Sequence, residues 1–160
     1  MPQNSAGILA YRRGRTGIEV FLVHPGGPYW AKKDDAAWSI PKGLFDANED
    51  PLTAAKREFS EETGSQVHGT FIPLGQFRQP GGKIVTAFAV EAAVDETAIT
   101  SNQFEMEWPP GSGTRRQYPE IDRAAWFDIE TARRKAHKGQ VPIMDALASH
   151  LGLRSAENDR

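Results

Sequence analysis

The chain has 160 residues, 39% hydrophobic and 25% charged, which is the size of one domain with enough apolar material for a normal core. A net charge of −2 gives no general attraction to nucleic acid or acidic membranes, so an anionic ligand has to be held by local cations or by metal. The absence of cysteine excludes disulfides, thiolate nucleophiles and thiolate metal sites; with no apolar run near about 18 residues and no charged-then-apolar leader, a cytoplasmic protein is the expectation.

In chain order, Ser5–Arg12 and Ile18–His24 are runs rich in Ile, Leu and Val, separated by Arg13–Gly17, and read as a strand pair with a short turn. Pro25–Ala37 is a loop containing Gly and Pro, and Trp38–Pro41 reads as a short strand. A helix is predicted from Pro51 to Thr63. Asp50 can accept from the free N–H groups of the first turn, Pro51 suits the first helical position, and Gly64 fits a left-handed stop. Thr70–Gln79 and Lys83–Ala93 form a second hairpin around Pro80-Gly81-Gly82. Thr100–Pro119 lacks clear periodicity and is read as a substrate-facing loop, too rich in Phe104, Met106, Trp108 and Tyr118 to be a disordered insertion. Ala124–Phe127 is a brief strand, followed by helices over Ile129–Lys138 and Pro142–Leu151. Residues 1–153 are thus expected to form one domain and 154–160 a polar, frayed tail.

The chemistry concentrates on the predicted helix. Leu52, Ala55 and Phe59 share a buried stripe, and Glu58, Glu61 and Glu62 lie about a quarter-turn to one side, at the edge of a core. Like charges at such spacings cost a few tenths of a kcal/mol per pair. A solvated acidic face is the plain reading of three such residues; binding a divalent cation is the reading that accounts for the cost. Carboxylates without nearby His or Cys make a hard oxygen site, suited to Mg²⁺ or Mn²⁺ and poorly suited to zinc or copper. Such an ion bridges phosphate oxygens and lowers the pKa of a bound water, which points to attack of water on phosphorus.

The stretch Gly43–Gly64 has Gly43, then Glu49, Arg57-Glu58, the apolar Phe59, Glu61-Glu62 and Gly64 at fixed separations. This pattern resembles the signature of the Nudix hydrolases. Ser65 stands where that family places an aliphatic residue, and Val67 is expected to take over its packing. The resemblance implies an α/β fold, an α/β/α sandwich with a central mixed sheet, and a Mg²⁺-dependent enzyme, with Mn²⁺ as a possible substitute, that cleaves a diphosphate linkage. It further implies that Glu58, Glu61, Glu62 and the Gly43 carbonyl ligate metal, and that Arg57 orients a signature carboxylate, with Glu49 as its partner. A further Glu from outside the signature often completes such sites. Glu105, Glu107 and Glu120 are available, and Glu120 is preferred, with Glu107 second, because its position six residues before Trp126 is similar to that of an extra metal-binding Glu in the dinucleoside tetraphosphate hydrolase branch.

Substrate choice is read from the flanks. Trp38-Ser-Ile-Pro-Lys42-Gly43 is similar to the entrance of Nudix enzymes acting on dinucleoside polyphosphates, with Lys42 pointing a cation at the phosphate chain. Lys83, Arg116, Arg115 and Arg78 are further phosphate candidates, and Tyr29, Trp30, Phe104 or Tyr118 could stack on a base. Trp38 and Trp126 are assigned to the core, and none of the four histidines has ligand spacing. The expected ligand is a small nucleotide, a dinucleoside polyphosphate before a nucleoside triphosphate, for a monomer or homodimer that binds neither membranes nor bulk nucleic acid. Pyrophosphohydrolysis at RNA 5′ ends and a non-hydrolysing nucleotide sensor remain as alternatives.

Overall fold

A computed structural model describes residues 3–153, so the polar stretch 154–160 lies outside the described residues. The long apolar runs become β1 (Asn4–Gly14) and β2 (Gly17–Pro25), paired antiparallel through a tight turn. β1 also runs parallel to β5 (Ile84–Glu91), and β5 pairs antiparallel with β4 (Ile72–Arg78). Together with β3 (Lys42–Leu44) on β1 and β8 (Ile121–Asp128) on β2, these strands make a six-stranded mixed sheet in the order β4-β5-β1-β2-β8.

Successive residues of a strand point to opposite faces, and β1 is buried on both. Ala6, Ile8 and Ala10 join Phe21, Val23, Ala54, Ala55 and Phe59 under α1 (Pro51–Thr63). Leu9 and Tyr11 face the other way, with Val20 and Leu22, against Ala132, Ile143, Met144 and Leu147 of α2 (Ile129–Lys135) and α3 (Val141–His150). Two cores separated by one sheet make the expected α/β/α sandwich.

Helix α1 has the predicted bounds. Asp50 accepts the Thr53 N–H at 3.0 Å, and Gly64 closes the helix at φ 76°, a left-handed conformation that only glycine adopts without strain. The buried stripe also includes Ala54 and Thr63, and Leu52 is only partly buried. Val67 packs into the core on this side of the sheet, as expected from the polar Ser65.

Three expectations are corrected. The strand predicted at Trp38–Pro41 is reduced to isolated bridges at Trp38 and Ser39, and the regular strand begins at Lys42. Pro41 has no N–H for a ladder, and the Ile40 N–H is given to the side chain of Gln140 at 3.1 Å. The Thr100–Pro119 loop is an antiparallel hairpin, β6 (Gln103–Glu107) and β7 (Arg115–Pro119), with Phe104 opposite Tyr118 and Met106 opposite Arg116. Helix α2 stops at Lys135, before the predicted Lys138, and a 3-10 turn over Lys138–Gln140 leads into α3. No helix among the described residues is long and apolar enough to cross a membrane.

Candidate active site

Helix α1 presents its carboxylates to β3. Gly43 lies so close that a Cβ at this position would overlap the Glu58 carboxylate. Only a residue without a side chain lets this backbone approach the acid. One residue earlier, the Lys42 N–H donates to Glu62 Oε1 at 3.2 Å. The backbone of Lys42-Gly43 and the side chains of Glu58 and Glu62 therefore form one small polar surface between strand and helix.

Arg57 organises the exposed edge of this surface. Its Nε and Nη2 donate to the two Glu49 oxygens at 3.1 and 3.0 Å, a two-pronged ion pair, and Nη1 donates to Glu58 at 3.0 Å and to Glu61 at 3.5 Å. Hydrogen bonding to Glu49, opposed by desolvation and reinforced by the charges of Glu58 and Glu61, raises the guanidinium pKa further, so the cation is permanent. Burial is the main reason that the Glu58 carboxyl titrates above the usual carboxylate range; Glu61 and Glu120 add to the shift and Arg57 opposes it. Glu62 is pushed up to about 7, again by burial first, with Lys42 opposing and Glu58 and Glu120 adding. Glu120, exposed at the root of the hairpin, is near enough to act electrostatically on both acids. Its backbone is fixed, since its N–H donates to Asn102 O and its carbonyl accepts from Gly26 N–H, both at 2.8 Å.

This donor set fits a hard divalent cation. Partly desolvated acids crowded together, with the Gly43 backbone against them and no sulfur or imidazole among them, lower their mutual repulsion by taking up positive charge. Among the described residues no three acidic or imidazole groups already converge on one point. Arg57 draws Glu58 and Glu61 toward itself, while Glu62 is turned to the Lys42 backbone.

The other acids considered from sequence are engaged in the hairpin itself. Glu105 pairs with Arg115, and Glu107 accepts from the Gly111 N–H at 2.5 Å. Arg116 is exposed on β7, and Tyr118 is half-buried with its ring 6.1 Å from that of Phe104. Trp38 is a core residue whose indole N–H donates to Asp34 at 2.9 Å. Trp126 is only half-buried, and its indole donates to Val94 O at 3.0 Å.

Two cavities adjoin the site residues, one at Glu120 and the other at Lys42. One, of about 450 Å³, is lined by Tyr29, Trp30, Phe104 and Met106, with Glu120 at its edge. Its walls are aromatic and apolar, suited to a flat heterocycle. The other, of about 380 Å³, holds Lys42 and Lys83 together with His137, Gln79 and Gln140. Desolvation lowers the Lys42 pKa, with Glu62 opposing the shift and Lys83 adding to it, and an anion in this cavity would relieve the crowding of the two ammonium groups. Pro25 and Trp30 belong to both linings, so the cavities share a wall. His137, Gln79 and Gln140 escape a reading of the sequence because their position depends on contacts between segments about 60 to 100 residues apart.

The family model described as NUDIX domain matches residues 1–147. An RNA pyrophosphohydrolase from Rhodospirillum rubrum is 41% identical over 68 residues, which is 41% of this chain and 39% of that relative, so the match spans about two fifths of the relative's length. Among solved structures, a C. elegans Ap4A hydrolase in a binary complex superposes with TM-score 0.62 at 20% identity, over 94% of this chain and 98% of that one. The NUDIX domain of Shewanella oneidensis NrtR, complexed with ADP ribose, gives TM-score 0.65 at 11% identity over 94% and 89%. At these identities the two superpositions establish the shared fold.

Proposed function

The chain belongs to the NUDIX domain family, and on that premise we propose that it is a Mg²⁺-dependent pyrophosphohydrolase of nucleoside polyphosphates, dinucleoside polyphosphates first. The observation that carries the proposal is what meets at the carboxylate surface: an aromatic cavity that reaches Glu120 and, sharing a wall with it, a cavity with two lysines whose Lys42 N–H is bonded to Glu62. Such a substrate likewise combines a base, a diphosphate linkage and further phosphates.

The chain's residues have distinct roles in this reading. Glu58, Glu61, Glu62 and the Gly43 carbonyl would hold the cation, with Glu120 as a further ligand or as the base that takes the proton of the attacking water. A bound Mg²⁺ supplies charge neutralisation at the phosphate oxygens and acidification of water. Arg57 keeps Glu58 and Glu61 oriented by spanning them and Glu49. Lys42 and Lys83 attract the phosphate chain, while Tyr29, Trp30 and Phe104 bind the base. Burial, with neighbouring acids adding, raises the Glu58 and Glu62 pKa values, and a bound cation would oppose that shift by favouring the ionised carboxylates.

The direct test is turnover of purified protein with Mg²⁺ on dinucleoside polyphosphates, triphosphates, nucleotide sugars and 5′-triphosphorylated RNA, with products identified by mass. Glu61→Gln should reduce metal-dependent phosphate release by roughly 100-fold or more without loss of fold; unchanged turnover would sink the catalytic reading. Cleavage of triphosphates with inert dinucleotides would replace the preferred substrate. Tight nucleotide binding without turnover would make the protein a sensor. RNA 5′-end processing is the second reading, favoured by the name of the 41% identical relative, and the RNA substrate decides it.

A further inference from the structure

The cavity with Lys42 and Lys83 is closed on one side by the short connector between α2 and α3, which brings in His137 and Gln140. Three observations make the connector more than a wall. His137 Nδ1 accepts the Gly139 N–H at 3.3 Å, so the ring proton of the neutral imidazole sits on Nε2, and the His137 backbone N–H is tied to Trp38 O at 2.8 Å. Gln140 is 1% exposed: its Oε1 accepts the Ile40 N–H at 3.1 Å and its Nε2 donates to Gln79 Oε1 at 3.2 Å. Gln79 in turn donates its backbone N–H to Lys83 O at 2.7 Å and its side-chain Nε2 to Gly139 O at 2.9 Å.

One chain of hydrogen bonds thus runs from Ile40, two residues before Lys42, through the buried amide of Gln140 and the half-buried amide of Gln79 to the backbone of Lys83. It fixes two cationic segments that are far apart in sequence. At the buried Gln140 end this pairing is rigid, because releasing its amide would leave a polar group unsatisfied away from water. Among the described residues lining this cavity there is no carboxylate, whereas the aromatic cavity has Glu120 at its edge.

We propose that this cavity is a distal phosphate subsite in which His137 donates its Nε2 proton to a phosphate oxygen beside Lys42 and Lys83, with the Gln140–Gln79 pair as the positioning element. The ligand class is a chain of three or more phosphates. The Lys42 N–H is bonded to Glu62, so the subsite adjoins the carboxylates, and phosphates beyond those at the carboxylates extend into it. Its place in a reaction rests on the hydrolase reading above; its capacity to bind an anion does not.

The test uses metal-free protein titrated with inorganic tripolyphosphate, followed by calorimetry and by the fluorescence of Trp30, which lines the cavity. Wild type should bind, Lys83→Ala and His137→Ala should each weaken binding about 10-fold, and His137→Gln, which keeps an N–H donor, should stay within about threefold. Gln140→Leu should weaken tripolyphosphate binding while leaving Mn²⁺ affinity at the carboxylates unchanged, a separation that simple destabilisation does not produce below the melting temperature. With Mg²⁺, His137→Ala should raise KM for a dinucleoside tetraphosphate about tenfold with kcat within about twofold. Failure of wild type to bind tripolyphosphate, or equal binding by folded His137→Ala, overturns the subsite. Binding that depends on His137 in a protein that turns over no phosphoanhydride keeps the subsite and removes the hydrolase reading.

Discussion

Gly43 shows how a single missing side chain can determine a site. Because a Cβ would occupy the space of the Glu58 carboxylate, Gly43→Ala must displace either the strand or the acid. We expect a folded protein whose kcat/KM falls at least about 10-fold and whose Mn²⁺ affinity falls in parallel, measured by steady-state kinetics and calorimetry. Glu62 makes a second prediction, in pH. An unfolded chain titrates this carboxyl near its ordinary 4.5, and the folded chain near 7. Below about 4.5 both states hold the proton and the group is neutral to folding; between the two values only the folded state holds it. Relative to that low-pH level, stability is therefore lost as pH rises from about 4.5 through about 7, where the cost of the buried charge is complete. In EDTA, denaturant unfolding should show roughly 1–3 kcal/mol less stability at pH 8 than at pH 4.5 from this residue, and Glu62→Gln should flatten that slope. An unchanged slope in the variant would assign the effect elsewhere. Mg²⁺ should act in the opposite sense, stabilising more strongly as pH rises, because its ligands must be deprotonated.

At the level of elements, what could be read in the sequence follows how local the determining forces are. Helix α1 was fully legible because Asp50, Pro51 and Gly64 mark its ends through contacts within a turn. Asp50→Ala should remove the bond to Thr53 and cost about 1 kcal/mol, a fall of roughly 2–4 °C in Tm, with turnover per folded molecule unchanged. The hairpin β6–β7 had a local signal too. Phe104, Met106 and Trp108 alternate with Glu105 and Glu107, which is strand periodicity, but three apolar positions before a Pro-Pro-Gly turn are a weak trace within 20 residues. The segment before β3 had none. Its backbone partner is Gln140, and nothing near Ile40 announces a buried amide 100 residues away. Of the site, the carboxylates, Arg57 with Glu49, and Lys42 were legible because they lie in one 23-residue run, 42–64. The cavities were not, since each draws on several distant segments.

For the whole molecule, the arrangement divides recognition between two adjoining cavities. The chain leaves the sheet after β5, forms the hairpin, and returns as β8, so one excursion delivers Phe104 and Met106 to the aromatic cavity and Glu120 to the edge of the carboxylates. The lysines and His137 reach the other cavity through β3, the β4–β5 turn and the α2–α3 connector. Base and phosphate affinity should therefore be separable by mutation. Removing the Phe104 ring takes away a stacking surface of about 1–3 kcal/mol per base, which corresponds to roughly 5- to 150-fold in affinity. Phe104→Ala should raise KM for nucleoside polyphosphates within that range while leaving tripolyphosphate binding and Mn²⁺ affinity at wild-type values. Lys83→Ala should do the reverse, weakening tripolyphosphate while leaving affinity for a nucleoside monophosphate close to normal. Calorimetry on both variants with both ligands completes the comparison. If each substitution weakened both ligands equally, the two cavities would be acting as one site, and the assignment of base and distal phosphates to separate cavities would have to be abandoned.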